Sequence, residues 1–113
     1  MLPQAHRMRR ASEFATVIRT GRRARRGCVV VHVRDDVRPG PALVGLVVGK
    51  SVGGSVVRHR VSRRLRAQLS ARVEKLPAGS GTVVRAMPEA AAADSAAIGA
   101  DLDAALAKLG VAT

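Results

Sequence analysis

A run of nine residues near the middle of the chain has the clearest chemical character. Residues 58–66 contain five arginines, one histidine and no acid, and no Asp or Glu occurs between Asp36 and Glu74. Like charges three or four residues apart repel one another on a helix, so a helix selected only for stability would mix signs. Guanidinium groups bind phosphate through paired N–H donors. The segment is therefore predicted to bind an anion through Arg58, His59, Arg60, Arg63, Arg64 and Arg66.

Helical geometry divides these side chains between two faces. Apolar residues recur every four positions from Val57 to Val73, which predicts one buried stripe. At 100° per residue, Arg60, Arg63 and Arg64 are expected to cluster opposite that stripe, and Arg58 near its edge. The alternative is a solvated amphipathic helix without a ligand, and the absence of acids argues against it.

A glycine-bearing loop precedes this helix. Gly53 and Gly54 stand before its first turn, where backbone N–H groups are free donors that a phosphate can approach closely. Lys50 is placed to complete such a cradle. Glycines before a helix are as often plain turn formers, so both interpretations stay open. The Gly49-Lys50-Ser51 triplet is no Walker A loop, because that loop needs its first glycine at position 44, which is valine.

No set of residues predicts catalysis by the chain itself. Asp35 and Asp36 are neighbours in a predicted turn, and Asp101 and Asp103 are two apart on a predicted helix, so we expect solvated acids. These positions therefore argue against a protein-only nuclease, which needs convergent carboxylates. The histidines have no partners at metal-binding spacing, and a lone cysteine makes no disulfide. We expect no catalytic residue, metal site or cofactor, and we set aside His6, His32, His59 and Cys28.

Composition indicates a polyanionic partner. The 113 residues carry 20 Lys and Arg against 8 Asp and Glu, a formal net charge of +12, so a nucleic acid is expected. The charge is uneven, at +14 over residues 1–72 and −2 over residues 73–113. Phe14 is the one aromatic residue of Phe, Tyr and Trp type, which argues against base-stacking platforms. No apolar run suffices for a membrane span or a secretory signal, so a cytoplasmic protein without membrane contact is expected.

Periodicity predicts six elements in a single domain, residues 1–113, with residues 1–10 as a flexible basic arm. The order is helix, strand, strand, helix, strand, helix, with room for an extra short strand. We expect the first two strands to pair as a hairpin, and residues 22–26 to be a basic connector. This order predicts an α+β sandwich of one sheet with helices against it. The predicted bounds are about Ser12–Thr20, Cys28–Val33, Ala42–Val48, Val57–Val73, Thr82–Met87 and Ser95–Leu109.

The segment from Lys50 to Arg66 resembles the signature of the bacterial ribonuclease P protein subunit family. In that family a Lys-Lys-Val-Gly-Asn-Ala-Val-Val segment runs into Arg-Asn-Arg and a further basic helix. The resemblance extends over nearly all 113 residues, because the opening of the chain is also similar at Leu2-Pro3, Arg7-Met8-Arg9-Arg10, Glu13-Phe14 and Gly21.

Three positions depart from the signature. Ser51 replaces the second lysine, Gly54 replaces the asparagine after the first glycine, and His59 replaces the central asparagine of Arg-Asn-Arg. A histidine still donates a hydrogen bond, but it lacks the paired donor and acceptor of an amide.

The resemblance implies a fold and a function. The fold is an α/β sandwich related to the second domain of ribosomal protein S5, with a left-handed βαβ crossover. The function is to bind the catalytic RNA of ribonuclease P and the 5′ leader of precursor tRNA. The RNA then cuts off the leader with Mg²⁺ held mainly by RNA. A ribosomal or other structural RNA-binding protein explains the charge and the missing active site equally well.

The resemblance also implies which residues bind. A cleft between the first helix and the sheet would hold the leader, and with few aromatics its contacts would rest on phosphate attraction and apolar packing. Phe14 is equally well explained as a core aromatic. The expected RNA-subunit contacts are Lys50, Gly53, Arg58, His59, Arg60, Arg63, Arg64 and Arg66. The expected leader cleft is Phe14, Ile18 and Val31, and the auxiliary basic residues are Arg7, Arg9, Arg10, Arg22 and Arg23.

Overall fold

The computed structural model describes residues 2–111, which form three helices, four strands and three short 3₁₀ turns. The α-helices are α1 (Ala11–Thr20), α2 (Ser55–Ser70) and α3 (Ser95–Lys108). The strands are β1 (Arg22–Arg26), β2 (Val29–Arg34), β3 (Leu43–Val47) and β4 (Gly81–Ala86). The 3₁₀ turns are Gln4–His6, Val73–Lys75 and Pro88–Ala91. The predicted α+β sandwich is confirmed, and the handedness of its crossover stays an expectation.

The strands form one sheet in the order β1-β2-β4-β3. β2 pairs antiparallel with both β1 and β4, whereas β3 pairs parallel with β4. The first two predicted strands correspond to β2 and β3. The prediction that they pair as a hairpin is wrong, because β4 lies between them. Helix α2 carries the chain from β3 to β4, the long connection that a parallel pair requires. β4 and β2 are the two interior strands, and the side chains of β4, apart from Arg85, are buried.

Residues 22–26 form an edge strand and not the connector that the sequence predicts. Ala24 is buried, and the arginines on either side of it point away from the core. Gly27, with a φ of 53°, then turns the chain back into β2. Four arginines in five residues hide the alternation that marks a strand, and they also blunt an otherwise exposed sheet edge.

The helices cover the two faces of the sheet unequally. The α2 and α3 face holds the main core, in which Val61, Leu65 and Leu102 are fully buried. The α1 face holds a smaller cluster of Met8, Val17, Leu43 and Val83, against which Phe14, Val37 and Val47 pack. Since α1 has only ten residues, part of this second face is left uncovered.

Both acids of α3 make structural contacts, so the prediction of solvated acids is wrong for the half-buried Asp101, whereas Asp103 stays exposed as predicted. Asp101 accepts a hydrogen bond from the backbone N–H of Cys28 at 2.9 Å. Asp103 pairs with Arg72 through both carboxylate oxygens, at 2.6 and 3.0 Å, which lowers the pKa of Asp103. Burial, with the Asp101 carboxylate nearby, raises the pKa of Cys28 to about 11 and leaves a neutral thiol.

The segment before α1 packs along β3. Leu2 and Met8 are buried, and the N–H of Met8 donates to the carbonyl of Val44 at 2.9 Å. His6 Nδ1 lies 2.7 Å from the carbonyl oxygen of Ala42. These contacts favour an ordered segment over residues 2–8. Within the described range 2–111, no helix is long and apolar enough to cross a membrane.

Candidate nucleic-acid interface

Helix α2 presents one exposed cationic face, formed by His59, Arg63 and Arg66 and here called the α2 face. The opposite side of the helix is held in the core by Val61 and Leu65, both fully buried. All three side chains of the α2 face are exposed, and none of them makes a hydrogen bond or ion pair within residues 2–111. Arg63 and Arg66 therefore carry charges that no acid within residues 2–111 neutralises.

Arg60 and Arg64 lie elsewhere than the sequence predicts. Both are half-buried, and they donate to the backbone carbonyls of Ala91 and Ala93 at 2.9 and 2.8 Å. On an ideal helix they stand about 100° and about 60° from Val61, which is the flank of the helix and not its far side. The prediction that they cluster with Arg63 opposite the buried stripe is therefore wrong. Arg58 is half-buried beside the stripe, as expected.

In the loop before α2, the close approach of Val57 favours glycine at position 53. Gly53 has a φ of 155°, and a β-carbon there would stand 2.9 Å from Cβ of Val57, whereas Gly54 has open space around it. Gly54 is the N-cap, and no side chain caps the helix. Lys50 is exposed in the same loop, so the free amides of the first turn and one lysine face solvent together.

Phe14 borders a cleft of about 390 Å³ at the β3 edge of the sheet. Arg7 from the N-terminal segment and Arg66 from α2 line the same cleft. Its remaining lining residues are Leu2, Met8, Val44, Gly45 and Leu46. Arg66 thus belongs to both the α2 face and the Phe14 cleft, and the two form one continuous surface.

Val31 does not line this side of the sheet. It is fully buried in the α2 and α3 core, because side chains alternate along β2 and Val31 shares its face with Val29 and Val33. The cleft side of β2 is formed by Val30 and His32. The prediction that Val31 lines the leader cleft is therefore wrong. Ile18 is 37% exposed on α1, but it is not among the residues that line the Phe14 cleft.

Two rows of side chains cross the face of the sheet on which α1 lies, here called the open sheet face. Its middle is covered, because His32 and Val83 are buried and Gly45 lies under the Phe14 ring. Strand register aligns Arg23, His32, Val83 and Gly45 in one row. The second row consists of Arg25, Val30, Arg85 and Val47. Arg23 and Arg85 are exposed and flank the middle of this face, whereas Arg25 is paired with Glu89 at 2.8 Å. The sequence analysis did not predict that Arg85 and His32 belong to this face. Their position follows only from the register of the paired strands.

His32 has an unusual environment in the floor of the open sheet face. It is 2% exposed, and neither ring nitrogen has a hydrogen-bond partner. Burial, and then the positive charges of Arg85 and Arg23, lower the pKa of His32 from its ordinary value of 6.5. The imidazole is therefore neutral near pH 7, with one donor and one acceptor unused.

The auxiliary basic residues divide between free and engaged side chains. Arg9, Arg10 and Arg23 are exposed. Arg7 lines the Phe14 cleft and donates to the carbonyl of Leu2 at 3.1 Å. Arg22 donates to the carbonyl of Leu109 at 2.6 Å and to Asp35 at 2.9 Å, so its role is structural. Over residues 2–111, no group of three or more His, Cys, Asp or Glu is arranged to hold a metal ion.

Comparisons with known proteins agree on one family. Residues 2–110 match a family model described as Ribonuclease P. The ribonuclease P protein component of Streptomyces avermitilis is 51% identical over 96% of this chain and 95% of that protein. The corresponding protein of Acidothermus cellulolyticus is 48% identical over 96% of this chain and 92% of that protein.

Solved structures have the same fold. The RNase P protein of Staphylococcus aureus superposes with a TM-score of 0.86 at 20% identity, covering 97% of this chain and 100% of that one. The RNase P protein from Thermotoga maritima superposes with a TM-score of 0.73 at 20% identity, over 91% of this chain and 94% of that chain.

Proposed function

This chain belongs to the ribonuclease P protein family, and from that membership we propose where its RNA partners bind. The α2 face, with Arg58 and Lys50 beside it, binds the catalytic RNA subunit. The Phe14 cleft and the open sheet face bind the 5′ leader of precursor tRNA. The chain acts as the protein component of the ribonuclease.

One observation carries this proposal: Arg66 lines the cleft that Phe14 borders and also stands beside Arg63 on the α2 face. An RNA strand bound along α2 therefore meets uninterrupted positive charge as far as the Phe14 cleft. Unpaired arginines gain affinity from phosphates by releasing counterions, so such binding weakens as salt rises. Paired arginines such as Arg72 are already neutralised and gain less.

The open sheet face suits a single strand better than a duplex. Arg23 and Arg85 offer guanidinium groups to phosphates, and Val30 and Val47 offer apolar side chains. All four residues lie on the same face of the sheet. With Phe14 as the one ring, the leader is held mostly by phosphate attraction and apolar packing. Sequence preference in the leader is expected to be weak.

In this proposal the RNA subunit catalyses hydrolysis of the phosphodiester bond. The chain binds and orients, and supplies no catalytic group, because hydrolysis of a phosphodiester needs a nucleophile activated by convergent carboxylates or a metal. Mg²⁺ is held mainly by RNA. The work is done in the cytoplasm, where the proposed substrate is made.

Cleavage of a 5′-extended precursor tRNA at low Mg²⁺ by a bacterial ribonuclease P RNA tests the proposal. We expect the protein to stimulate cleavage at the mature 5′ end, and an equally basic control protein not to. Arg63→Ala should lower affinity for the RNA subunit and reduce the salt slope by about one, whereas Lys108→Ala, which removes the same charge from α3, should change neither. Equal stimulation by the control protein would favour a ribosomal or general RNA-binding role.

A further inference from the structure

Arg60 and Arg64 stand one helical turn apart on the flank of α2 that faces residues 88–94. Each donates one N–H to a backbone carbonyl of that segment, Arg60 to Ala91 and Arg64 to Ala93. Both side chains are half-buried, so each retains an accessible part. Both side chains are therefore anchored by a hydrogen bond, unlike those of the α2 face.

The segment that holds them is rigid. Pro88 begins its 3₁₀ turn, and Ala90 at the centre is fully buried. Its backbone N–H groups are bonded within the turn, from Ala90 to the Met87 carbonyl at 2.9 Å and from Ala93 to the Ala90 carbonyl at 3.2 Å. Asp94 then caps α3 through the N–H of Ala97 at 2.8 Å. The segment that carries the two carbonyls is thus held at both of its ends, by the 3₁₀ turn and by the cap of α3.

The chemistry of the anchor matters, because a carbonyl is neutral. Arg25 and Arg72 bond to carboxylates, which cancel their charge. Arg60 and Arg64 keep the full positive charge, and each guanidinium has five N–H donors, of which the carbonyl accepts one. In Arg60 the Nε–H is buried, so the donors left for a ligand are those of its terminal nitrogens. The rotamer freedom of the side chain is already lost in the free protein. A phosphate that meets these groups does not have to order them again.

We propose that residues 88–94 are a positioning element of the RNA interface, which holds Arg60 and Arg64 so that their remaining N–H groups meet phosphates of the RNA subunit. The inference rests on the proposed function, in which the neighbouring Arg63 binds that RNA. Ala91 and Ala93 act through their backbone carbonyls, so they position the arginines and touch no RNA themselves. This short alanine-rich segment thereby has a functional role.

A charge-neutral substitution tests the positioning. Ala92→Gly loosens the segment between the two carbonyls, at an exposed position with φ −98° and ψ −7°. We expect it to weaken binding to ribonuclease P RNA by about threefold to tenfold with an unchanged salt slope, because no charge is lost. Ala104→Gly, on the exposed side of α3, is the matched control and should bind as the parent does. Binding is measured at a temperature where circular dichroism finds every variant folded.

Lysine substitutions provide a second measurement. Arg60→Lys and Arg64→Lys keep the charge and lose the anchored planar fork, so each should weaken binding more than Arg63→Lys, whose side chain has no anchor. If Ala92→Gly and both lysine variants bind as the parent does while Arg63→Ala weakens binding, the positioning role is overturned and the proposed function stands. If Arg63→Ala also has no effect, the proposed α2 contact with RNA has failed.

Discussion

The ring of Phe14 lies directly on the backbone of Gly45, so closely that a β-carbon at position 45 would overlap Cε1 and Cζ of the ring. Gly45 faces the α1 side of β3, between Leu43 and Val47. The absence of a side chain there lets the one aromatic residue of α1 contact the sheet and border the cleft. Phe14 is thus both a partly buried packing residue and a cleft wall, which joins the two interpretations that its sequence context leaves open.

Gly45→Ala should therefore displace the Phe14 ring. Overpacking of this kind costs about 1–3 kcal/mol of unfolding free energy, which urea denaturation measures. The shifted ring should also weaken binding of precursor tRNA with a leader more than binding of tRNA without one. Gly49→Ala, at a loop position with open space, is the control and should leave both quantities near the parent values.

Equal losses for the two RNAs would mean that the ring borders no leader site. Unchanged stability would mean that the ring moves aside without cost. Either result separates the packing role of Phe14 from its proposed binding role.

Sequence reasoning located most elements but not their pairing. The bounds of α1 and α3 follow from apolar spacing and from caps such as Asp94. The neighbours of β4 could not be predicted, because pairing depends on where α2 delivers the chain. The strand character of residues 22–26 was hidden because Ala24 is its one buried residue.

The same limit applies to the site. The exposed positions of Arg63 and Arg66 follow from helical periodicity, which the buried residues of α2 fix. In β2, however, all five residues from Val29 to Val33 are buried, so hydrophobicity does not indicate which of them face the cleft. Only the register with Val83 and Gly45 assigns His32 to that side and Val31 to the core.

Arg85→Ala should impair leader binding selectively. Arg85 is the exposed residue of an otherwise buried β4, and it makes no hydrogen bond or ion pair within the described chain. Loss of one phosphate contact should lower affinity for precursor tRNA and reduce its salt slope by about one, while affinity for the RNA subunit is unchanged. Filter binding at several salt concentrations measures both. A parallel loss of affinity for leaderless tRNA would contradict a leader contact.

Arg72→Ala should separate stability from binding. Arg72 clasps α2 to α3, donating to the carbonyl and side-chain oxygens of Gln68 at 2.8 and 2.7 Å and to both carboxylate oxygens of Asp103. Its side chain is 17% exposed, so its removal strands partly buried acceptors and should cost about 1–3 kcal/mol of unfolding free energy. RNA affinity of the folded variant should be unchanged. A weakened RNA complex at full folding would instead extend the interface to this end of α2.

His32 should make folding stability depend on pH. The unfolded chain protonates this histidine near its ordinary pKa of 6.5, whereas the folded protein, with its lowered pKa, resists protonation. Stability is therefore constant above that value and falls as pH decreases below 6.5, by at most about 1.4 kcal/mol per pH unit, until the folded-state pKa is reached. Urea denaturation at pH 7.5, 6.5 and 5.5 measures the slope. His32→Leu should flatten it, whereas His59→Asn at an exposed position should not. A slope that persists in His32→Leu would mean that other groups account for the acid sensitivity and that the imidazole is reached by water in solution.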